Sequence, residues 1–372
     1  MPFCEQFIFT VAKTKHEKGY QVIAKSPGIN KEIISECENY LYPVDINLNK
    51  FIQSRSLILL KKNIVAFSIV KNIGVGFDGR LGTIYSHTFV IEKKEFQKLD
   101  NDSRIFEQYY HEDPSFLGEM PKLILKSEKI PIDFENVEKI RSILPTVLVA
   151  LFKNEKIAIF KTNKPKLIQT ILSIAPPSVR LIPFSTYVEH PSKQPKYNFI
   201  LTSKAKLFDL EDDFWKIDLE EKKIPVTNTS SMLGNSIRYL LDLIDKRKEN
   251  ELVEIYNMFE KISSNDFKNK IILVTNYTQF NSPASEKHKQ RYADNIFTII
   301  NKFDKKIASQ YLEKVKKYSN KYAILGEKIQ EVINPDISLI DALVLLPVRV
   351  TADLISSYVE FQKKLWGKDR SD

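Results

Sequence analysis

Cysteine is nearly missing from this chain. Cys4 and Cys37 are the only two in 372 residues, too few for a disulfide framework or a structural zinc site, and a reducing, cytoplasmic setting is expected. Long apolar runs are missing too. No stretch approaches the roughly 20 apolar residues of a spanning helix, so no membrane association is expected. The opening residues Met1-Pro2-Phe3-Cys4-Glu5 lack the basic start and apolar run of a secretory signal. The five histidines, His16, His87, His111, His190 and His288, show neither H-E-x-x-H nor any paired spacing, which argues against a metal site. A P-loop and a G-x-S-x-G elbow are both absent. Their absence removes the usual routes to nucleotide hydrolysis and serine nucleophile chemistry. No metal and no cofactor is expected.

What is present is the material of a globular core. Apolar residues make up 43% of the chain and charged residues 28%, and the length suits two or three domains of roughly 150 residues each. The net charge is +9, but it is unevenly placed. Residues 1–230 hold 33 basic and 28 acidic side chains, and residues 231–372 hold 23 and 19. Within the second part, residues 285–328 hold 11 basic against 5 acidic. A clustered surplus of this kind can meet phosphate or an acidic surface.

The pattern predicts an α+β protein, with a mixed, mostly antiparallel N-terminal domain over 1–227 and a helical domain over 228–372. Strands are expected over 5–12, 20–25, 56–60, 64–73, 83–91, 156–160, 178–184 and 197–202. Ile29, Ile33, Ile34, Cys37, Tyr40 and Leu41 recur at helical spacing, predicting a helix over 30–42. Residues 134–152 read as helical, with Pro145 kinking or dividing them. A further helix is expected over 165–174, capped by Asn163 with Pro165 in its first turn. Beyond the polar segment 226–230 the periodicity is helical over 230–248, 251–262, 285–303, 304–322 and 339–366. The apolar run 271–274 fits either a strand or a buried helix.

Four of the ten glycines, Gly74, Gly76, Gly79 and Gly82, fall within nine residues, and the first three spell G-x-G-x-x-G. That signature binds dinucleotides only where a helix follows it. Here residues 83–91 are rich in β-branched and aromatic side chains, so a glycine loop between antiparallel strands is expected. A hydrolase-like or nucleotide-handling pocket around Gly74–His87, with Arg80 and His87, is the enzymatic alternative. Ser86 and His87 are neighbours, but successive strand residues point to opposite faces, so they cannot simply pair. No acid is identifiable to orient the ring, and a histidine satisfied by hydrogen bonds inside the sheet is the structural expectation. A second alternative places phosphate or nucleic acid on a basic face of a helix over 302–322, formed by Lys302, Lys305, Lys306, Lys316, Lys317 and Lys321.

Several pieces, taken in order, carry a resemblance. They are Gly19-Tyr20-Gln21 with Ser26-Pro27-Gly28, then Gly79-Arg80 leading to Tyr85-Ser86-His87-Thr88-Phe89-Val90. After these come residues 172–177 with Arg180, and Phe184-Ser185-Thr186-Tyr187. Over residues 3–205 the chain resembles the N-terminal domain of the GTPase-associated proteins of prokaryotic conflict systems. One departure is Ser173-Ile174-Ala175 before the prolines, where a more leucine-rich approach is expected. The resemblance implies a noncatalytic adaptor or scaffold that couples a GTPase switch to an effector, and it carries over no catalytic residues. Tyr20, Ser26, Gly28, Gly79, Arg80, His87 and Arg180 are then the candidate interaction or pocket residues. From the residues themselves, Gly19 and Gly28 suit tight turns, Arg180 suits an acid or an anion, and Ser185 and Thr186 suit backbone groups at a strand end.

Overall fold

A computed structural model describes residues 1–11, 19–42, 51–75, 82–112, 118–126, 128–160, 162, 164–188, 197–202, 214–220, 224–225 and 230–321. The chain divides into two compact units, Met1–Thr227 and Asn228–Asp372.

The first unit is α+β. Its strands are β1 (Phe3–Val11), β2 (Tyr20–Lys25), β3 (Gln53–Leu60), β4 (Ile64–Asn72), β5 (Ile84–Glu92), β6 (Gly118–Glu119), β7 (Leu123–Ile124), β8 (Lys156–Phe160), β9 (Phe184–Ser185), β10 (Phe199–Thr202) and β11 (Phe214–Asp218). They form one sheet in the order β11-β8-β10-β9-β3-β4-β5-β1-β2-β6, with β7 paired to the start of β1. The long central strands β3, β4, β5, β1 and β2 are antiparallel, whereas β9, β10, β8 and β11 run parallel to one another. Its helices are α1 (Lys31–Tyr40), α2 (Lys93–Gln97), α3 (Phe134–Glu138), α4 (Leu144–Lys153), α5 (Leu167–Ser173) and α6 (Pro177–Arg180).

Both faces of the centre are covered, so β4 and β5 are buried along most of their length and lack the in-out polarity of a half-exposed sheet. On one face α1 packs Cys37, Ile33 and Ile34 against Phe7, Ile58, Ala66 and Val70. On the other, Phe106 lies between Phe67, Phe89 and Phe96 with ring centres 5.1–5.6 Å apart. Burial of each such ring contributes about 2–3 kcal/mol. Helix α4 is buried over Thr146–Phe152, as expected of a helix apolar on all sides.

Most expected elements form, and the exceptions have local causes. Pro145 divides the segment 134–152, because a ring at the start of α4 displaces no needed N–H there but cannot sit inside a helix. The strand expected over 178–184 is replaced by the turn α6, since Pro177 is set for a first helical turn, and only Phe184–Ser185 pair. Helix α5 starts at Leu167, so Pro165 precedes it, and Asn163 lies outside the described residues. Strand β11 was not expected, its five residues being interrupted by Lys216.

The second unit is helical among its described residues: α7 (Met232–Asp245), α8 (Glu249–Lys261), α9 (Phe267–Asn281), α10 (Glu286–Ile300) and α11 (Lys305–Val315). Helix α9 packs against α7, α8 and α10, and the ambiguous run Ile271–Val274 is its buried centre. The Asp266 carboxylate caps it by accepting from the Asn269 N–H at 3.0 Å. The helix expected over 302–322 is not continuous. Asp304 caps α11, which ends at Val315, and Lys316–Tyr318 form a tighter turn. The expected helix over 339–366 lies outside the described residues.

Candidate functional site

Strand β5 carries the residues that most invite a chemical reading, and its neighbours decide their roles. His87 sits opposite Ile8 of β1 and Ile69 of β4, in the middle of the sheet, and is 0% exposed. The His111 N–H donates to His87 Nδ1 at 3.0 Å. The proton therefore resides on Nε2, which donates to Gln6 Oε1 at 2.9 Å. Gln6 in turn donates through Nε2 to the Pro121 carbonyl at 2.8 Å, and its N–H donates to Ser26 Oγ at 2.9 Å. Burial, with a smaller contribution from His111, lowers the imidazole pKa from 6.5 to about 3. His87 is thus neutral at physiological pH with both ring nitrogens engaged. It ties together β1, β5 and the segments at residues 111 and 121.

Ser86 faces the other way. Its hydroxyl lies 2.7 Å from Ser68 Oγ and 3.3 Å from Thr88 Oγ1, and Tyr42 closes the group at 3.5 Å from Thr88. Ser185, Ser56, Ser68 and Thr88 are direct register partners across β9, β3, β4 and β5, so a row of small hydroxyls crosses four strands beneath α1. Ser56 donates to Ser185 at 2.9 Å. These hydroxyls satisfy one another inside the core, and among the described residues the hydrogen-bond partners of the Ser86 hydroxyl include Ser68 and Thr88.

The glycine segment joins β4 to β5, which pair from Asn72 opposite Ile84 onward. The Gly82 N–H donates to the Gly74 carbonyl at 2.6 Å, and both glycines adopt positive φ, +77° and +78°. A strand follows the loop, so the helix N-terminus that a pyrophosphate requires is not formed there. Gly76, Gly79 and Arg80 lie outside the described residues.

The remaining candidates divide between internal duties and exposure. Gly28 lies against the Glu5 side chain, and a Cβ there would stand 2.6 Å from Glu5 Oε1, so that carboxylate would have to move aside. Arg180 donates to the Ala175 and Ser173 carbonyls at 2.8 and 3.2 Å and pairs with Asp102 at 3.7 Å, closing the end of α5. Thr186 Oγ1 accepts from the Arg55 N–H at 2.8 Å. The Tyr20 hydroxyl accepts from the Ile84 N–H at 3.1 Å and its ring stacks on Phe9, yet the residue is 44% exposed. At the same end of the sheet, on other strands, stand Ile52, 74% exposed before β3, and Val75, 60% exposed beyond β4.

Sequence reading missed a buried ion pair. The Arg55 guanidinium is chelated by both oxygens of Glu107, while its Nη1 and the Tyr110 hydroxyl are buried with no hydrogen-bond partner among the described residues. An arginine inside an otherwise apolar and hydroxylic strand was the available signal. Among the described residues, no group of three or more His, Cys, Asp or Glu is placed to hold a metal ion, and no helix is long and apolar enough to cross a membrane.

In the second unit the expected basic face breaks with its helix. Lys302 lies ahead of α11 and Lys306 in its first turn, both exposed, and Lys305 belongs to that same turn. At the other end Lys316 pairs with Glu313 at 2.9 Å, and Lys321 donates to Thr298 Oγ1 at 2.8 Å. Lys317 sits over the Tyr318 ring, 5.0 Å from its centre. No protein-family model matches the chain, and no curated protein is similar to it.

Proposed function

We propose that this protein is a noncatalytic adaptor of the cytoplasm whose first unit engages a protein partner. The resemblance of residues 3–205 points to a GTPase switch as that partner, with an effector as the second. The observation that carries the reading is the rim formed by Tyr20, Ile52 and Val75, at the end of the sheet where β2 and β3 begin and β4 ends. Large apolar side chains held at one rim favour contact with another protein. The buried, doubly hydrogen-bonded His87 weighs against the hydrolase-like alternative, because a general base needs a free nitrogen that substrate can reach.

The test is capture of a GTPase encoded beside this gene, presented in its GDP-bound and GTP-analogue-bound forms. Capture in one nucleotide state is expected, with at least about tenfold weaker binding by an Ile52→Glu/Val75→Glu variant. No capture in either state removes the reading.

A further inference from the structure

The basic surplus of the second unit gathers where no single helix face predicts it. Tyr318 is approached from two elements, by Lys289 of α10 at 5.9 Å and by Lys317 at 5.0 Å from the ring centre. Its edge meets Phe280 of α9, with ring centres 5.2 Å apart. One helical turn earlier on α9, Tyr277 packs edge-on against Tyr311 at 4.8 Å and carries Lys314 at 5.6 Å from its ring centre. The ends of α9 and α11 and the start of α10 therefore bring three ammonium groups to two half-buried tyrosines, Lys289 and Lys317 at the Tyr318 ring and Lys314 as a hydrogen-bond donor to the Tyr277 side chain.

Nearby acids do little to neutralise this strip. Glu286 is 4.0 Å from Lys289 and 78% exposed, so water screens the pair. Glu313 is engaged by Lys316. Asp294 accepts from the Ser319 hydroxyl and the Lys321 N–H. Lys314 and Lys317 have no acidic partner among the described residues. Like charges brought onto one ring repel each other, and an anion lying across them relieves that repulsion.

We propose that the strip formed by Lys289, Lys314 and Lys317 beside Tyr277 and Tyr318 binds the phosphate backbone of single-stranded nucleic acid. Lysine supplies compact point charges that suit successive phosphates. Interleaved tyrosines provide faces and edges for unpaired bases. This inference is independent of whether the first unit binds a GTPase.

The experiment is fluorescence anisotropy of the full chain with oligothymidine and oligouridine of about 20 nucleotides, titrated across salt. Wild type should bind at low salt. The Lys289→Gln/Lys314→Gln/Lys317→Gln variant should bind at least about tenfold more weakly, with the slope of log K against log salt smaller by about 2. The matching triple arginine variant should retain binding, which separates loss of charge from loss of fold. Absence of low-salt binding by wild type overturns the proposal, as does equal binding by the glutamine variant. Equally tight, lysine-dependent binding of polyglutamate also overturns it, in favour of an acidic protein partner.

Discussion

In the first unit, Gln6, Ser26, Ser68, Ser86, His87 and Thr88 are buried and hydrogen-bonded to one another or to backbone. In the second, Lys289 and Lys317 approach the Tyr318 ring and Lys314 donates to the Tyr277 side chain, with Glu286 at 4.0 Å from Lys289 as a screened acidic neighbour. Residue types that suggest chemistry therefore do structural work in one region, while the proposed ligand contacts of the other rest on less distinctive lysines. The difference follows from desolvation. A polar group inside a sheet costs several kcal/mol unless paired, so it is retained where the fold pairs it, and that pairing removes it from reaction.

The largest test of this contrast is the Arg55–Glu107 pair. Glu107→Ala strands a guanidinium that is 3% exposed, and urea denaturation should register a loss of about 3 kcal/mol. A loss under about 1 kcal/mol would mean that solvent reaches Arg55 and that the first unit is less sealed than its packing indicates.

His87→Gln comes next, with an expected loss of about 1–3 kcal/mol at neutral pH from a buried hydrogen-bonded group. Its pH dependence is more informative. The folded imidazole has a pKa lowered from 6.5 to about 3, so below 6.5 the unfolded chain takes up a proton that the folded chain refuses. The stability due to neutral His87 is complete above pH 6.5 and is lost as the pH falls toward 3, at up to about 1.4 kcal/mol per unit. Denaturation midpoints of wild type should fall over that window, and those of the glutamine variant should fall less steeply. Parallel slopes would show that His87 protonates inside the fold.

Sequence made the central sheet legible because β4 and β5 are long and rich in β-branched side chains, and β3 ends in an apolar run bounded by a polar turn. The strands expected over 64–73 and 83–91 form as β4 and β5, antiparallel neighbours on either side of the glycine segment. It also separated Ser86 from His87 correctly, since the two-residue period of a strand needs no tertiary knowledge. Their partners were not legible: Gln6 lies 81 residues from His87, and Ser56 lies 129 from Ser185. The lysines gathered at Tyr318 were not legible for a related reason. Helical periodicity projects one helix onto itself, whereas Lys289 meets Lys317 only because α10 and the turn after α11 converge on Tyr318.

The hydroxyl row offers a finer measurement. Ser68→Ala should cost about 1 kcal/mol, and Ser68→Ala/Ser86→Ala less than the two single losses together, because each hydroxyl is the other's partner at 2.7 Å. Strict additivity would mean that the row consists of separate bonds rather than one network.

The smallest effect belongs to the outward side of the comparison. Lys302→Gln/Lys306→Gln removes two exposed charges from the start of α11, and stability should change by less than about 0.5 kcal/mol. Because these lysines lie outside the tyrosine strip, the same variant should keep most of the affinity for single strands, with only the slight weakening of a lower general field. If it lost as much affinity as the strip variant, diffuse charge rather than the placement of lysines beside Tyr277 and Tyr318 would be what the ligand senses. Position along the chain would then matter less than the net positive charge of the segment.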